Sequence, residues 1–253
     1  GGPYDVRHGY VQIPDFVDLA TTRGFAVEAQ ARWSSRMLEL TDNGLFPVYW
    51  EKTRAGLVLL ADGGEPLYDA LRPSRVYPSF ESVPDLMVQT LLFIENRELL
   101  DPRFPYRNPA LEWDRLARSV LQLGIHQLDP EQRVTGGSTL ATQMEKYRHS
   151  PEGRTSSVTE KFRQVATASL RAYLNGEETM EARQRIVVEY LNSLPLGAVP
   201  GHGEVIGIGD GVEAWYGADF AQVTRALAPA EGESPDRGAQ ALALTQVVRL
   251  LLA

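Results

Sequence analysis

From Pro84 to the C-terminus, apolar residues recur three and four positions apart with few breaks, and only helices keep such a spacing on one face. Helices are expected over about 84–98, 109–127, 138–148, 156–174, 179–194 and 238–253. The first fifty residues mix one helix, Val27 to Leu40, with turns punctuated by proline and glycine. The run Gly56-Leu57-Val58-Leu59-Leu60, the turn Asp62-Gly63-Gly64 and then Pro66-Leu67-Tyr68 read as strand, turn and strand. Between Pro195 and Gly211, glycines are dense enough to predict a long loop, which in a helical domain is a functional feature or a disordered one. The expected fold is mainly α, with a short β-hairpin towards the N-terminal side.

Formal net charge is −8, which excludes nucleic acid as the main partner because phosphate neutralisation needs a basic surface. That sum does not exclude a local cationic pocket. With no cysteine, disulfides, thiolate nucleophiles and cysteine-ligated zinc are ruled out. No apolar run reaches the roughly 18–20 residues that span a bilayer. The chain opens on Gly1-Gly2 and stops at Leu250-Leu251-Leu252-Ala253, within an apolar pattern. The expectation is therefore a piece of a longer, membrane-anchored chain. Residues 1–55 form an extension of unknown role, and residues 56–253 form one domain.

Four segments place polar groups where chemistry uses them. Glu95, in Leu91-Leu92-Phe93-Ile94-Glu95-Asn96-Arg97-Glu98, falls over Val88, Leu91 and Leu92 on a helix advancing about 100° per residue. A carboxylate on an apolar face is either paired or held neutral with a raised pKa, the property a general base uses at neutral pH. Alternatively, it snorkels to solvent near a helix end. The second segment, Gly136-Gly137-Ser138-Thr139-Leu140-Ala141-Thr142-Gln143-Met144-Glu145-Lys146, reads as a loop entering a helix, with Ser138 or Thr139 as N-cap. Leu140, Met144 and Tyr147 are expected to be buried, while Thr139, Thr142, Gln143 and Lys146 share the opposite face. Free N–H groups at such a helix start attract anions. In the third segment, Val158, Phe162, Val165, Ala166, Leu170 and Tyr173 form an expected core-facing stripe, flanked by Lys161 and preceded by Arg154. These cations and Lys146 could converge on a diphosphate, although a charged helix face is more often simply solvated. In the fourth, Ile186, Val187, Tyr190, Leu191 and Leu194 face inwards, with Arg185, Glu189 and Asn192 on the other side.

Read in order, these segments resemble the motifs of the family 51 glycosyltransferases, found in penicillin-binding proteins and monofunctional transglycosylases. The family's Glu-Asp-Arg-x-Phe is similar to Glu95-Asn96-Arg97-Glu98-Leu99. Its Gly-Gly-Ser-Thr-Ile-Thr-Gln-Gln-Leu-x-Lys is matched most specifically, at Gly136, Gly137, Ser138, Thr139, Gln143 and Lys146. Its basic third motif resembles Arg154-Thr155 and the helix carrying Lys161. The fourth resembles Val187-Val188-Glu189-Tyr190-Leu191-Asn192 with one residue of spacing lost, and the fifth Trp215-Tyr216-Gly217. Departures are Asn96 for Asp, Leu99 for Phe, Ala141 and Thr142 for Thr and Gln, and Gln164 for Glu.

The resemblance implies a lysozyme-like helical fold and an inverting transfer of a lipid-linked disaccharide such as lipid II, releasing lipid pyrophosphate. Glu95 would be the base, with Lys146, Arg154 and Lys161 neutralising the diphosphate. Glu189 would orient the donor or hold a divalent metal, Mg2+ or Mn2+. Arg97, Ser138, Thr139, Gln143 and Asn192 would contact substrate. Implied partners are the lipid-linked sugar, the glycan strand, the membrane surface and other cell-wall synthesis proteins, at the extracytoplasmic face of the bacterial inner membrane. Two rival readings are a catalytically inactive relative that binds lipid-linked sugars or scaffolds a cell-wall complex, and a lysozyme-like hydrolase. The hydrolase needs two carboxylates about 5–9.5 Å apart across a sugar cleft, which no spacing here indicates.

Overall fold

The structure, a computed structural model, describes residues 12–28, 32–49, 51–111, 138–150, 153–229, 234 and 236–253. In chain order its elements are α1 (Ile13–Thr22), α2 (Ser35–Asp42), β1 (Val58–Leu60), β2 (Pro66–Asp69), α3 (Asp85–Ile94), α4 (Leu140–His149) and α5 (Val158–Ala172). There follow α6 (Met180–Ser193), β3 (Pro195–Val199), β4 (Gly203–Ile206), α7 (Gly207–Tyr216), α8 (Phe220–Leu227) and α9 (Arg237–Leu251). The protein is mainly α, and the expected N-terminal-side hairpin is β1–β2, antiparallel with Val58 opposite Asp69 and Leu59 opposite Tyr68. Five of the expected helices are present as α3, α4, α5, α6 and α9. The expected helix over 109–127 lies outside the described residues beyond position 111.

Side-chain caps set many of the helix starts. Ser34 accepts from Met37 N at 3.1 Å, so α2 begins at Ser35 and not at Val27. Ser157 accepts from Glu160 N, Asp219 from Gln222 N, and Asp236 from Gly238 N and Ala239 N, opening α5, α8 and α9.

The chain divides into two compact units. The first joins Tyr10–Tyr49 to Pro102–Arg183, and the second joins Trp50–Asp101 to Gln184–Ala253. In the first, α4 packs on α5. The start of α6 is tied to the 104–107 segment: Thr179 Oγ1 donates to Arg107 O at 2.6 Å, and the buried Arg183 donates to Phe104 O at 2.9 Å. In the second, α3, α7, α8 and α9 pack together, and α7 also packs on the β3–β4 hairpin. Met87, Leu91, Val187, Leu191, Ile208, Val212 and Val247 are buried core of this unit. The inward stripe expected for α6, Ile186, Val187, Tyr190, Leu191 and Leu194, is buried throughout.

Two expectations are overturned. The stretch from Pro195 to Gly211 is not a loop but a hairpin, Ala198 opposite Glu204, followed by a helix. Its glycines serve close approach and backbone reversal: Gly207 has φ +75°, and a Cβ on Gly209 would lie 2.3 Å from Arg75 O. The second error concerns α5, whose apolar stripe faces outwards. Val158 is 87% exposed and Phe162 70%, whereas Glu160, Gln164, Thr167, Ala168 and Ala172 are buried. Burial of these polar groups is tolerated because each has a partner. Gln164 donates to Ser150 Oγ and Thr155 Oγ1, Glu160 accepts from Ser156, and Thr167 accepts from Phe46 N.

Inside the second unit, α6 and α7 hold the segment at 74–77 by its backbone. Asn192, 3% exposed, donates to Tyr77 O and accepts from Tyr77 N, both at 2.8 Å. Asp210, equally buried, accepts from Ser74 N at 2.8 Å and Arg75 N at 3.0 Å. Tyr77 itself stacks edge-on against Phe220 at 5.0 Å, and burial raises its phenol to about 12 despite a hydrogen bond to Thr224. Asn192→Ala leaves a buried N–H and C=O without partners, so urea unfolding is expected to show a loss of about 2–4 kcal/mol. Asn192→Asp, which keeps the acceptor but sets a buried carboxylate oxygen against Tyr77 O, should lose at least as much as alanine.

Candidate active site

The best-formed polar cluster lies in the first unit, at the start of α4. Thr139 caps that helix in a reciprocal box: Thr142 N donates to Thr139 Oγ1 at 3.2 Å and Thr139 N donates to Thr142 Oγ1 at 2.9 Å. Both threonines are buried, so the face expected to be open surface carries only Gln143 and Lys146 as half-exposed groups. Ser138, just before the cap, accepts a 2.7 Å hydrogen bond from Lys161 Nζ, which reaches over from α5. Gly136 and Gly137, also part of the motif, lie outside the described residues.

Lys161 and Lys146 act on each other. Burial of Lys161 holds its ammonium below the ordinary value of 10.5, and the like charge of Lys146 lowers it further. The chain has only three lysines, Lys52, Lys146 and Lys161. Two of the three thus lie within electrostatic reach of each other in a chain of net charge −8. Arg154 precedes the Ser157 cap of α5 and is exposed. Gln164, at the motif position where a glutamate is usual, is committed to Ser150 and Thr155.

Behind this surface lies a cluster that the sequence reading did not single out. Glu145 is 1% exposed and faces three cationic or titratable groups. Arg148 donates to it at 2.9 Å and Arg171 at 2.7 Å, while His149 Nε2 stands 3.6 Å away. Burial pushes the Glu145 carboxyl up, but the charges of Arg171 and Arg148 outweigh it and hold the group below its ordinary value. The i, i+3, i+4 spacing of Glu145, Arg148 and His149 was the available signal, yet it is indistinguishable in sequence from a solvated helix face.

The second unit carries the carboxylates. Glu95 is the C-cap of α3, half-buried, with its N–H bonded to Leu91 O at 2.9 Å. Its helix buries Met87, Val88 and Leu91. The departures beside it have structural roles: Asn96 is buried and accepts from Glu98 N at 3.1 Å, and Leu99 is 1% exposed core. Arg97 is exposed, with its guanidinium 4.1 Å from the centroid of the Phe93 ring. Glu189 is half-buried on α6. Asn192, expected at the substrate, has its amide occupied by Tyr77.

Among the described residues no three histidine, aspartate or glutamate side chains cluster as a metal site would. Among the same residues, no helix is long and apolar enough to cross a membrane.

Residues 64–233 match the family model described as Transglycosylase. No curated protein sequence matches the chain.

The Glu145 cluster makes the first unit acid-sensitive. A carboxyl lowered by folding contributes fully above its unfolded value near 4.5 and loses that contribution as pH falls through its lower folded value. Urea midpoints should therefore drop on acidification below pH 4.5. Glu145→Gln should cost about 3–5 kcal/mol at pH 7, because it leaves buried guanidinium groups uncompensated, and should flatten that acid slope.

Proposed function

The chain belongs to the transglycosylase family, the family 51 glycosyltransferases, which polymerise peptidoglycan glycan strands, and on that premise we propose that it transfers lipid-linked disaccharide units with inversion. The observation carrying this reading is the bond from Lys161 Nζ to Ser138 Oγ, made where the charge of Lys146 also reaches Lys161, within the residues that match the family. Two cations within electrostatic reach of each other favour a polyanion, so a diphosphate binds them more strongly than a single phosphate does.

In the proposed reaction the 4-hydroxyl of the acceptor sugar attacks the anomeric carbon of the growing strand. Glu95 takes the hydroxyl proton as the new C–O bond forms. The bond from the anomeric carbon to the diphosphate oxygen breaks, and the leaving lipid diphosphate carries away the electron pair. Lys146, Lys161 and Arg154 neutralise that developing charge, while Ser138 and Gln143 bond to diphosphate or sugar oxygens. Glu189 orients the donor, and Arg97 lies beside the acceptor. Lipid II is the proposed substrate. The extracytoplasmic face of the bacterial inner membrane is the proposed location, with the membrane surface and other cell-wall synthesis proteins as partners.

The second reading is an inactive relative that binds lipid-linked sugar. It is favoured by Gln164, which replaces a usual glutamate and whose amide is fully engaged inside the protein. Incubation with labelled lipid II separates the two: glycan chains on a gel support the transferase, whereas binding without chain growth supports the binder. Glu95→Gln is expected to keep the fold and lower the polymerisation rate by at least about 10²-fold, the usual size of a lost general base. An active Glu95→Gln enzyme removes Glu95 from the mechanism.

Lys161 also sets a pH limit. Its charge is present below its pKa, which lies under 10.5 in the folded protein. Diphosphate affinity should therefore decline with rising pH earlier than an ordinary lysine allows, and Lys161→Arg should push that limb to higher pH, as followed by calorimetric titration with inorganic pyrophosphate.

A further inference from the structure

Residues 44–49 lie outside the family match and inside the first unit, where they run along α5. Three α5 side chains spaced four apart, Arg163, Thr167 and Arg171, hold them by the backbone. Arg163 Nε donates to Gly44 O, Thr167 Oγ1 accepts from Phe46 N at 3.1 Å, and Arg171 donates to Tyr49 O. One face of a helix thus grips a short segment at three points, Gly44, Phe46 and Tyr49.

Two of these contacts also reach α4. The Phe46 ring lies 5.2 Å from the Arg163 guanidinium of α5 and stacks at 5.0 Å on His149 of α4. Arg171 of α5, while bonded to Tyr49 O, also donates to Glu145 of α4. Each junction therefore joins the segment, α4 and α5 in one place. The helices so joined carry Lys146 and Lys161, and Lys161 Nζ of α5 donates at 2.7 Å to Ser138, just before α4, where burial and then the charge of Lys146 lower its pKa. Lys161 is two residues from Arg163 on α5, and Lys146 is three residues from His149 and adjacent to Glu145 on α4.

We propose that residues 44–49 are a positioning strap, which together with the Glu145–Arg171 clamp holds α4 and α5 in the register that keeps Lys161 bonded to Ser138 at the start of α4. The strap assigns a role to part of the extension before the family domain. It depends on the proposed function only for the identity of the ligand that the pair receives.

The test uses the whole chain with lysine carrying 13C at Cε, which gives one side-chain signal for each of the three lysines. Phe46→Leu keeps apolar bulk and loses the ring, whereas Phe46→Tyr keeps the ring. Thr167→Val removes the acceptor for Phe46 N without touching the ring. Circular dichroism establishes that each variant is folded at the temperature used.

Wild type and Phe46→Tyr are expected to show Lys161 titrating below the ordinary lysine range. In Phe46→Leu and Thr167→Val, that midpoint should rise towards the ordinary value, and inorganic pyrophosphate should bind about tenfold more weakly, the size of one lost charge-assisted contact. A strap that merely adds stability would lower the melting temperature and leave the Lys161 midpoint in place. Folded variants with an unmoved midpoint would therefore overturn the proposal. Failure of wild type to bind pyrophosphate would count against the diphosphate reading alone, because the titration reads the strap without any ligand.

Discussion

Lys161 is drawn partly out of water within reach of a second ammonium, Lys146, and burial first and that like charge second hold its pKa down. A cation held out of water stays in place only where the elements that bear it are restrained by other contacts. Here the restraint comes from a second electrostatic layer behind the first. Glu145 is neighbour to Lys146 in sequence but turned inwards, where it binds Arg171 of the opposite helix. A buried carboxylate thus ties together the two helices that carry Lys146 and Lys161.

The second unit solves a different problem with similar means. Residues 74–77 have no strand partner, so their backbone groups need side chains to satisfy them. Asp210 takes two N–H groups and Asn192 takes an N–H and a C=O, and both side chains are buried. This explains why an asparagine at the end of the Tyr190-Leu191-Asn192 run is matched by motif yet engaged in holding the chain. A carboxylate accepts only and an amide both donates and accepts, and each stands where its own pattern is required. Glycine at 209 completes the arrangement by letting α7 approach Arg75.

Much of this was legible in the sequence. The helices α3, α6 and α9 announce themselves because their buried faces are mainly apolar at helical spacing, α4 because a capping signal precedes it, and the β1–β2 hairpin because Asp62-Gly63-Gly64 separates two apolar runs. The helix α5 misleads for a physical reason. Its inner face is polar and satisfied by Ser150, Thr155, Ser156 and Phe46, partners that periodicity cannot see, while its apolar stripe points outwards. The 195–211 region misleads because glycine signals both a loop and a close backbone approach, and only the neighbouring chain decides between them. At the site, the motif spacing singled out Ser138, Gln143, Lys146 and Lys161, and of these Lys161 is bonded to Ser138. That Thr139 and Thr142 spend their hydroxyls on each other was hidden, since a capping box and a ligand-binding surface use the same residues.

The chemistry of the two basic side chains explains how the labour is divided. Arg163, Arg171, Arg148 and Arg183 all act inside the first unit, bonding to carbonyls or to Glu145. A guanidinium has five donors in a fixed plane and stays charged, so it can bridge two elements at once, as Arg171 does between Tyr49 and Glu145. An ammonium is compact, can turn to several acceptors and titrates when buried. It is the better group where a ligand must arrive and leave, and the worse one for a permanent joint. A chain with 25 basic residues and only three lysines places two of those lysines at the proposed diphosphate site. The arginines around them act as fasteners, joining residues 44–49, which precede the family match, to the helices that carry Lys146 and Lys161.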